Sequence, residues 1–144
     1  MGNPVSLVSG SSSGIGTAIV EAFAASGYDV VVHYNSGSDP SDPRTHRKSN
    51  QERAEDIASR LREQYQVQAL SLGADLSQPE DAFSLVDRAH EHFGRLDTVV
   101  SNSGVTNYVR DKDGQVVRYR FTETPIDHLQ EEMDRVLSVN LMGA

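Results

Sequence analysis

The sequence contains no cysteine and no tryptophan, and only 6% of its 144 residues are aromatic. Without cysteine, a disulfide framework, a zinc–thiolate site and a cysteine nucleophile are all excluded. Cysteine usage leaves the compartment open, and we expect a cytoplasmic location for such a composition. No apolar run approaches the ~20 residues that a membrane span needs, and the first residues enter a predicted strand directly. We therefore expect neither a membrane partner nor a signal peptide.

Basic residues are also scarce, with 13 Lys and Arg against 21 Asp and Glu, a net charge of −8 and a pI of about 5.0. This balance argues against a nucleic-acid partner, which would require a basic face. An anionic small molecule is still compatible, because a helix N-terminus binds anions locally. The length and the 37% hydrophobic content suit a single globular domain with its own core, which we place over residues 1–144.

A glycine- and serine-rich segment, Ser9–Gly16, lies between the apolar run Val5–Val8 and a helical pattern. Gly10 permits a sharp turn, because glycine has no Cβ to clash at positive φ. Gly14 and Gly16 allow a pyrophosphate to approach the backbone at the start of the helix. The three serines between the first two glycines offer hydroxyl donors. The alternative is a flexible loop with no ligand.

Strand and helix patterns alternate along the rest of the chain. Strands are predicted at 5–8, 28–34, 67–72 and 96–100, with helices after the first three, one of them over 51–64. The third helix is predicted to begin with a capping box, Ser77 to Glu80, and to bury Ala82, Phe83, Val86, Ala89 and Phe93. A polar loop insertion is predicted near 36–50, a β-hairpin near 108–121 around Asp113-Gly114, and a final helix from Pro125.

This alternation predicts an α/β fold with a Rossmann-like doubly wound parallel sheet, here truncated to four strands plus the hairpin. In such a sheet the ligand crevice lies beyond the C-terminal ends of the strands. The glycine segment, the stretch Gly73–Leu76 and the stretch Ser101–Gly104 all fall at that edge.

Taken in order, these motifs resemble the N-terminal, cofactor-binding half of the short-chain dehydrogenase/reductase family. The resemblance is carried by Gly10-x-x-x-Gly14-Ile15-Gly16, Asp75-Leu76, Asn102-Ser103-Gly104 and Val139-Asn140-Leu141. Ser101 and Ser103 replace the first Asn and the Ala of the family's Asn-Asn-Ala-Gly. The resemblance implies a bound dinucleotide and hydride transfer to or from a small carbonyl or alcohol substrate, without a metal site.

The resemblance also implies roles for individual residues. The glycine segment would bind the cofactor through Gly10, Ser12, Ser13, Gly14, Ile15 and Gly16. Asp75 and Leu76 would flank the adenine, and Asn102, Ser103 and Gly104 would form the nicotinamide side. Asn140 would assist catalysis by holding a proton-relay water. Each later motif also has a purely structural interpretation: Asp75 as a turn cap, Asn102 as a tie between strand ends, and Asn140 as a surface helix residue.

The choice of cofactor depends on the end of the second strand. An acidic residue there would bind the ribose 2′-hydroxyl and favour NAD. His33, Tyr34, Asn35 and Ser36 occupy that end instead and none is acidic, so nothing repels a 2′-phosphate, and we predict that NADP(H) is preferred over NAD(H). Arg44, Arg47 and Lys48 could receive the phosphate, or could simply lie in a solvated loop.

The family's catalytic Ser and Tyr-x-x-x-Lys follow the asparagine-bearing helix, and this sequence ends at Ala144. Tyr108 and Lys112 have the right spacing but lie in the predicted hairpin, where such side chains need not meet, so we do not assign them to catalysis. Two hypotheses follow. The chain is the cofactor-binding half of a longer enzyme, or it is a non-catalytic half-domain that keeps dinucleotide binding, or only the fold, and self-associates through the open edge of the fourth strand.

Overall fold

The computed structural model describes residues 2–37, 49–105, 108–110, 116–118 and 126–143. The elements follow the predicted order. They are β1 (Val5–Val8), α1 (Gly14–Ala25), β2 (Asp29–Asn35), α2 (Asn50–Tyr65), β3 (Ala69–Ala74), α3 (Pro79–Phe93), β4 (Thr98–Val100), β5 (Tyr108–Arg110), β6 (Val116–Arg118), α4 (Ile126–Leu137) and a π-helical turn (Ser138–Met142). No helix in the described ranges combines the length and apolarity required to cross a membrane.

The main sheet is parallel throughout and has the strand order β3-β2-β1-β4. Leu7 of β1 lies between Val31 of β2 and Val99 of β4. The chain therefore runs outward from β1 in one direction and then returns to add β4 on the other side. The loops after β1 and β4 diverge at this switch point, which opens a crevice at the C-terminal ends of the strands. The Rossmann-like fold predicted from the sequence is confirmed.

The core has two layers, one on each face of the sheet. Val30 and Val32 of β2 face α1 and α2 and pack with Val20, Ala58 and Leu61. On the opposite face, β1 and β2 pack against α3 through a second set of buried residues: Leu7, Val31, Leu72, Leu85 and Ala89. Burial on both faces accounts for the uninterrupted β-branched run of β2.

Two predictions about α3 are wrong. The helix begins at Pro79 with Gln78 as its N-cap, and no capping box forms. The side chain of Phe83 is 74% exposed and that of Val86 is 39% exposed, whereas Leu85 and Ala89 are buried. The reason is the helical period: the buried stripe of α3 passes through Leu85 and Ala89, and Phe83 lies two residues, or about 200°, away from Leu85.

The boundaries of the strands also differ from the prediction. β3 ends at Ala74 rather than at residue 72, because it pairs with β2 as far as Asn35. β4 is short, and no described strand pairs with its outer edge. The expected hairpin is present as β5 paired antiparallel with β6, so Tyr108 is on a strand and not on a helix. Its turn, Lys112 and residues 38–48 of the polar loop lie outside the described residues.

Candidate functional site

A cleft of about 290 Å³ opens at the C-terminal ends of the parallel strands. Its walls come from the loop after β1, the ends of β2 and β3, the segment after β4, and single residues of α2 and the π-helical turn. The lining residues are Gly10, Ser12, Ser13, Gly14, Ile15, Gly16, His33, Asn35, Asn50, Ala74, Asp75, Leu76, Asn102, Ser103, Gly104, Val105 and Val139. Every residue that the sequence assigned to cofactor binding is in this set except Tyr34 and Ser36.

The glycine segment forms one wall of the cleft. Gly10 has φ +66° and Gly14 has φ +58°, values that favour glycine. In the described part of the chain, the N-cap residue Ser13 makes no side-chain cap to the first turn of α1. A Cβ added at Gly14 would meet nothing within 4 Å, whereas one at Gly16 would lie 2.6 Å from Asn102 Nδ2. The loop thus presents bare backbone and an uncapped helix N-terminus to the cleft, the chemistry that a pyrophosphate requires.

Ser9 and Asn102 join the ends of β1 and β4 beneath the cleft. The Ser9 hydroxyl oxygen accepts the backbone N–H groups of Asn102 and Ser103, both at 2.9 Å. The Asn102 side-chain amide donates to the Ser9 carbonyl oxygen at 2.9 Å. Asn102 therefore ties two strand ends together, as its structural interpretation required, and it also lines the cleft.

His33 connects β2 to the glycine segment and to β3. Its Nδ1 accepts the Gly10 N–H at 2.9 Å, and its Nε2 lies 3.2 Å from the Ala74 carbonyl oxygen. Since Nδ1 accepts, Nε2 carries the hydrogen and donates to Ala74. The side chain is buried, and burial lowers its pKa below the ordinary value, while the bond to Ala74 acts in the opposite direction.

Asp75 follows β3 directly and shapes the turn into α3. Its Oδ1 accepts the Ser77 N–H at 3.0 Å and the Ser77 hydroxyl at 2.7 Å, while its own N–H donates to Asp81 Oδ2 at 3.0 Å. Ser77 thus belongs to the turn before α3, and with Gln78 as the N-cap it is not in position to form a capping box. Asp75 caps the turn and, together with Leu76, lines the cleft, so the two interpretations are compatible.

Side chains alternate between the two faces of a strand, so the three candidates at the end of β2 do not all face the cleft. Tyr34 faces away from His33 and lies over Gly73, where an added Cβ would come within 2.6 Å of its ring. Asn35 lines the cleft, and its side-chain oxygen accepts the Gly37 N–H at 2.9 Å. Ser36 is exposed, and its N–H donates to the Ala74 carbonyl at 3.2 Å.

Asn50, the first residue of α2, lies beside the end of β2. Its side-chain amide donates to the Asn35 carbonyl oxygen at 3.3 Å, and its side-chain oxygen accepts from the Arg53 guanidinium. The cleft wall next to Asn35 therefore contains a second neutral amide, and the Asp75 carboxylate lies close by at Gly37. The other basic candidates, Arg44, Arg47 and Lys48, lie outside the described residues.

Asn140 fastens the π-helical turn to the segment after β4. Its Oδ1 accepts the Val105 N–H at 2.7 Å, and its Nδ2 donates to the Val105 carbonyl at 3.0 Å. The residue is exposed but held at both ends of its amide, and its neighbour Val139 reaches the cleft. In the described ranges, no group of three or more acidic or histidine side chains is arranged to hold a metal ion.

Sequence reasoning did not assign five of the lining residues to the site: His33, Asn50, Ala74, Val105 and Val139. A signal existed for His33, because a polar ring inside a buried strand must find hydrogen-bond partners. No such signal existed for Asn50, which reaches the cleft only because α2 begins beside the end of β2.

Comparisons with known proteins agree with this geometry. The family model for short chain dehydrogenases matches residues 4–144. Versicolorin reductase from Emericella nidulans is 34% identical over 139 residues, which are 96% of this chain and 42% of that protein. Glucose 1-dehydrogenase 2 from Bacillus subtilis is 34% identical over 137 residues, 95% of this chain and 43% of that protein.

Solved structures give a similar result. An alcohol dehydrogenase from Thermococcus sibiricus, complexed with 5-hydroxy-NADP, superposes with a TM-score of 0.71 at 27% identity, over 97% of this chain and 48% of that one. A short chain dehydrogenase from Burkholderia cenocepacia in complex with NADP gives a TM-score of 0.72 at 27% identity, over 99% and 46%. The chain spans less than half the length of these proteins.

Proposed function

The chain belongs to the short-chain dehydrogenase/reductase family, and from this premise we propose that it forms the dinucleotide-binding part of an oxidoreductase that transfers hydride between NADP(H) and a small carbonyl or alcohol. The observation that carries the proposal is the uncapped, glycine-lined N-terminus of α1, which opens into a cleft at the switch point of the sheet. Names of relatives support the reaction class, since they include reductases and dehydrogenases.

In this proposal the pyrophosphate lies on the backbone N–H groups at Gly14–Gly16, where the positive end of the α1 dipole favours an anion. Asp75 and Leu76 flank the adenine, because they follow β3 on the β2 side of the cleft. The nicotinamide lies towards Asn102–Gly104, on the β4 side. When bound, the cofactor supplies or accepts the hydride.

The proposed preference for NADP(H) rests on the end of β2. The cleft residues there, Asn35 and Asn50, are neutral amides that can donate hydrogen bonds to a 2′-phosphate without repelling it. The NADP or 5-hydroxy-NADP named with two similar solved structures supports the same preference. Tyr34 has no part in it, because its ring packs over Gly73 on the other face of the strand.

Asn140 is the one described residue to which we assign a part in catalysis, as a helper of the proton relay. Both ends of its amide are used by Val105, so its contribution is to hold the π-helical turn against the segment after β4. The proton donor or acceptor, and the residues that position the substrate, are not assigned to this chain.

Self-association and a cytoplasmic location also stay proposals. The described residues leave the outer edge of β4 unpaired, and the side chain of Val99 on that strand is 56% exposed. An open strand edge with an exposed apolar side chain favours pairing with another chain. The non-catalytic alternative is not favoured, because the relatives are named for oxidoreductase activities.

The test is calorimetric titration of the chain with NADP⁺ and with NAD⁺. We expect NADP⁺ to bind at least about tenfold more tightly, a difference of ~1.4 kcal/mol. Asn35→Asp keeps the acceptor for the Gly37 N–H but replaces the amide donor with a negative charge, so it should remove that preference. Gln64→Glu, at the exposed far end of α2, adds the same charge as a matched control and should change nothing. Equal binding of the two cofactors would refute the preference, and binding of neither would refute the proposed function.

A further inference from the structure

His33 is hydrogen-bonded to the glycine segment through its ring, its backbone N–H and its backbone carbonyl. We propose that His33 is a pH-sensitive positioning residue: its neutral ring fixes the glycine segment in the shape that accepts a dinucleotide, and a proton on Nδ1 releases it. The inference rests on the proposed function, since it concerns the same cleft, but it assigns a role to a residue that the glycine motif does not include.

The geometry concentrates four hydrogen bonds on this one residue. The ring accepts the Gly10 N–H at 2.9 Å and donates to the Ala74 carbonyl at 3.2 Å. The His33 backbone N–H donates to the Ser11 hydroxyl at 2.9 Å, and its carbonyl accepts the Ser12 N–H at 3.2 Å. Three consecutive residues before α1 are therefore anchored to His33, and the ring also bridges to the end of β3.

The bond to Gly10 exists in only one protonation state. Nδ1 accepts the Gly10 N–H, so a proton on Nδ1 would set two donors against each other at 2.9 Å. The ring is 1% exposed, and water cannot take over the lost bond without movement of the segment. Gly10 must then shift, and with it the start of α1, where the pyrophosphate is proposed to bind.

The charged groups around the ring do not provide a counter-ion for the protonated form. Residues 5–16, 69–74 and 101–105 contain no titratable side chain. The nearest elements contribute Asp75 and Asp81, which are held by the Ser77 and Asp75 N–H groups, and the pKa of His33 is set by burial and by the Ala74 carbonyl and not by either carboxylate. At the start of α2, Glu52 accepts from Ser49 in a capping box, and Arg53 donates to Asn50. On β2 itself, Tyr34 is on the opposite face.

Burial lowers the pKa of His33 below its ordinary value of 6.5, so the neutral ring predominates at neutral pH. The anchored segment persists above pH 6.5, and it is released only as the pH falls through the lowered pKa.

The test measures the ring and the ligand in the same samples. Nitrogen NMR of the full chain reports the His33 tautomer and the Gly10 amide from pH 8 downward, and calorimetry with NADP⁺ reports affinity. We expect a neutral Nε2–H ring at pH 8. The Gly10 shift and the NADP⁺ affinity should then change with the midpoint of His33, with an affinity loss of about tenfold, the equivalent of roughly one hydrogen bond.

Three variants separate positioning from simple packing. His33→Asn places an amide oxygen near Nδ1 and should keep affinity at pH 8 within about threefold while losing the His33-linked step, which leaves only the 2′-phosphate titration near pH ~6. His33→Leu removes the acceptor and should weaken binding about tenfold at every pH. His90→Gln, on the exposed side of α3, is the matched control and should follow the wild type.

Several results would overturn the inference. These are an Nδ1–H ring at pH 8, a Gly10 amide that does not respond to His33 titration, absence of titration down to acid unfolding, or an unchanged pH profile in His33→Asn. If the wild type binds no dinucleotide at pH 8, the proposed function fails. The coupling between His33 and Gly10 is still decided by NMR of the free chain.

Discussion

Ser6, on β1, and Ser9, which follows β1, should respond in opposite ways to the removal of their hydroxyl groups. Ser9 and Ser6 are both buried, but the Ser9 hydroxyl accepts two backbone N–H groups, whereas the Ser6 hydroxyl has no hydrogen-bond partner among the described residues. Replacement by alanine removes the same single oxygen atom in each case. We expect Ser9→Ala to lower the free energy of unfolding and Ser6→Ala to raise it.

The magnitudes follow from what each variant leaves behind. Ser9→Ala leaves the N–H groups of Asn102 and Ser103 without their acceptor. A net hydrogen bond contributes about 1 kcal/mol, and both residues are half-buried, so the expected loss is about 2 kcal/mol. Ser6→Ala removes an unsatisfied buried hydroxyl and leaves a void of one oxygen, and the expected gain is about 0.5–1 kcal/mol.

Urea unfolding followed by circular dichroism measures both variants. For m of about 2 kcal/mol/M, the Ser9→Ala midpoint should fall by about 1 M, and the Ser6→Ala midpoint should rise by a few tenths. The difference between the two variants is insensitive to errors common to both. A Ser9→Ala midpoint equal to that of wild type, or a Ser6→Ala variant that is the less stable of the two, would show that the hydrogen-bond argument is wrong.

Two further predictions concern close packing and acid stability. Gly16→Ala places a Cβ against the Asn102 side chain. We expect the free energy of unfolding to fall by about 1–3 kcal/mol and the NADP⁺ affinity, measured by calorimetry, to fall tenfold or more. Retention of both would contradict the close approach. The Arg95 guanidinium, and then the Val5 N–H, hold the pKa of Asp97 below its usual range. The stabilisation is complete about one pH unit above the ordinary Asp pKa of ~3.9 and is lost as the pH falls through the lowered pKa, so Asp97→Asn should flatten the acid limb of a stability–pH curve.

The parts of the cleft built from local sequence signals were predictable. The glycine segment predicts its own turn and helix start, and the residues after β3 and β4 were placed at the right edge of the sheet by the alternation of strands and helices. Asn102 and Asp75 were each given a structural and a binding interpretation, and the geometry supports the structural roles while both residues line the cleft.

Features that depend on which face of a strand or helix is buried, or on contacts between distant residues, were not predictable. A continuous apolar run such as that of β2 does not reveal which of His33 and Tyr34 faces the cleft, because both faces of the strand are buried. The sequence of α3 likewise did not show which face of the helix is buried. Phe83 and Val86 were therefore predicted in the core, although their helix face is exposed. The capping box failed because α3 begins one residue later than expected: Gln78 is the N-cap, so Ser77 lies before it and Glu80 is the second helical residue, not the third.

The position of β4 beside β1 has a kinetic consequence. β1 pairs first with β2, a near neighbour in sequence, since Val5 is opposite Asp29, whereas its other edge waits for Thr98 to pair with Ser6. Closing the longer loop costs about 1 kcal/mol more in chain entropy, and non-local parallel pairing is slow. On a ribosome, β1, β2 and β3 can pair before β4 has been synthesised. The bonds between Ser9 and Asn102 can form only after β4 has paired with β1, so the β4 side of the cleft is completed after the β2 side.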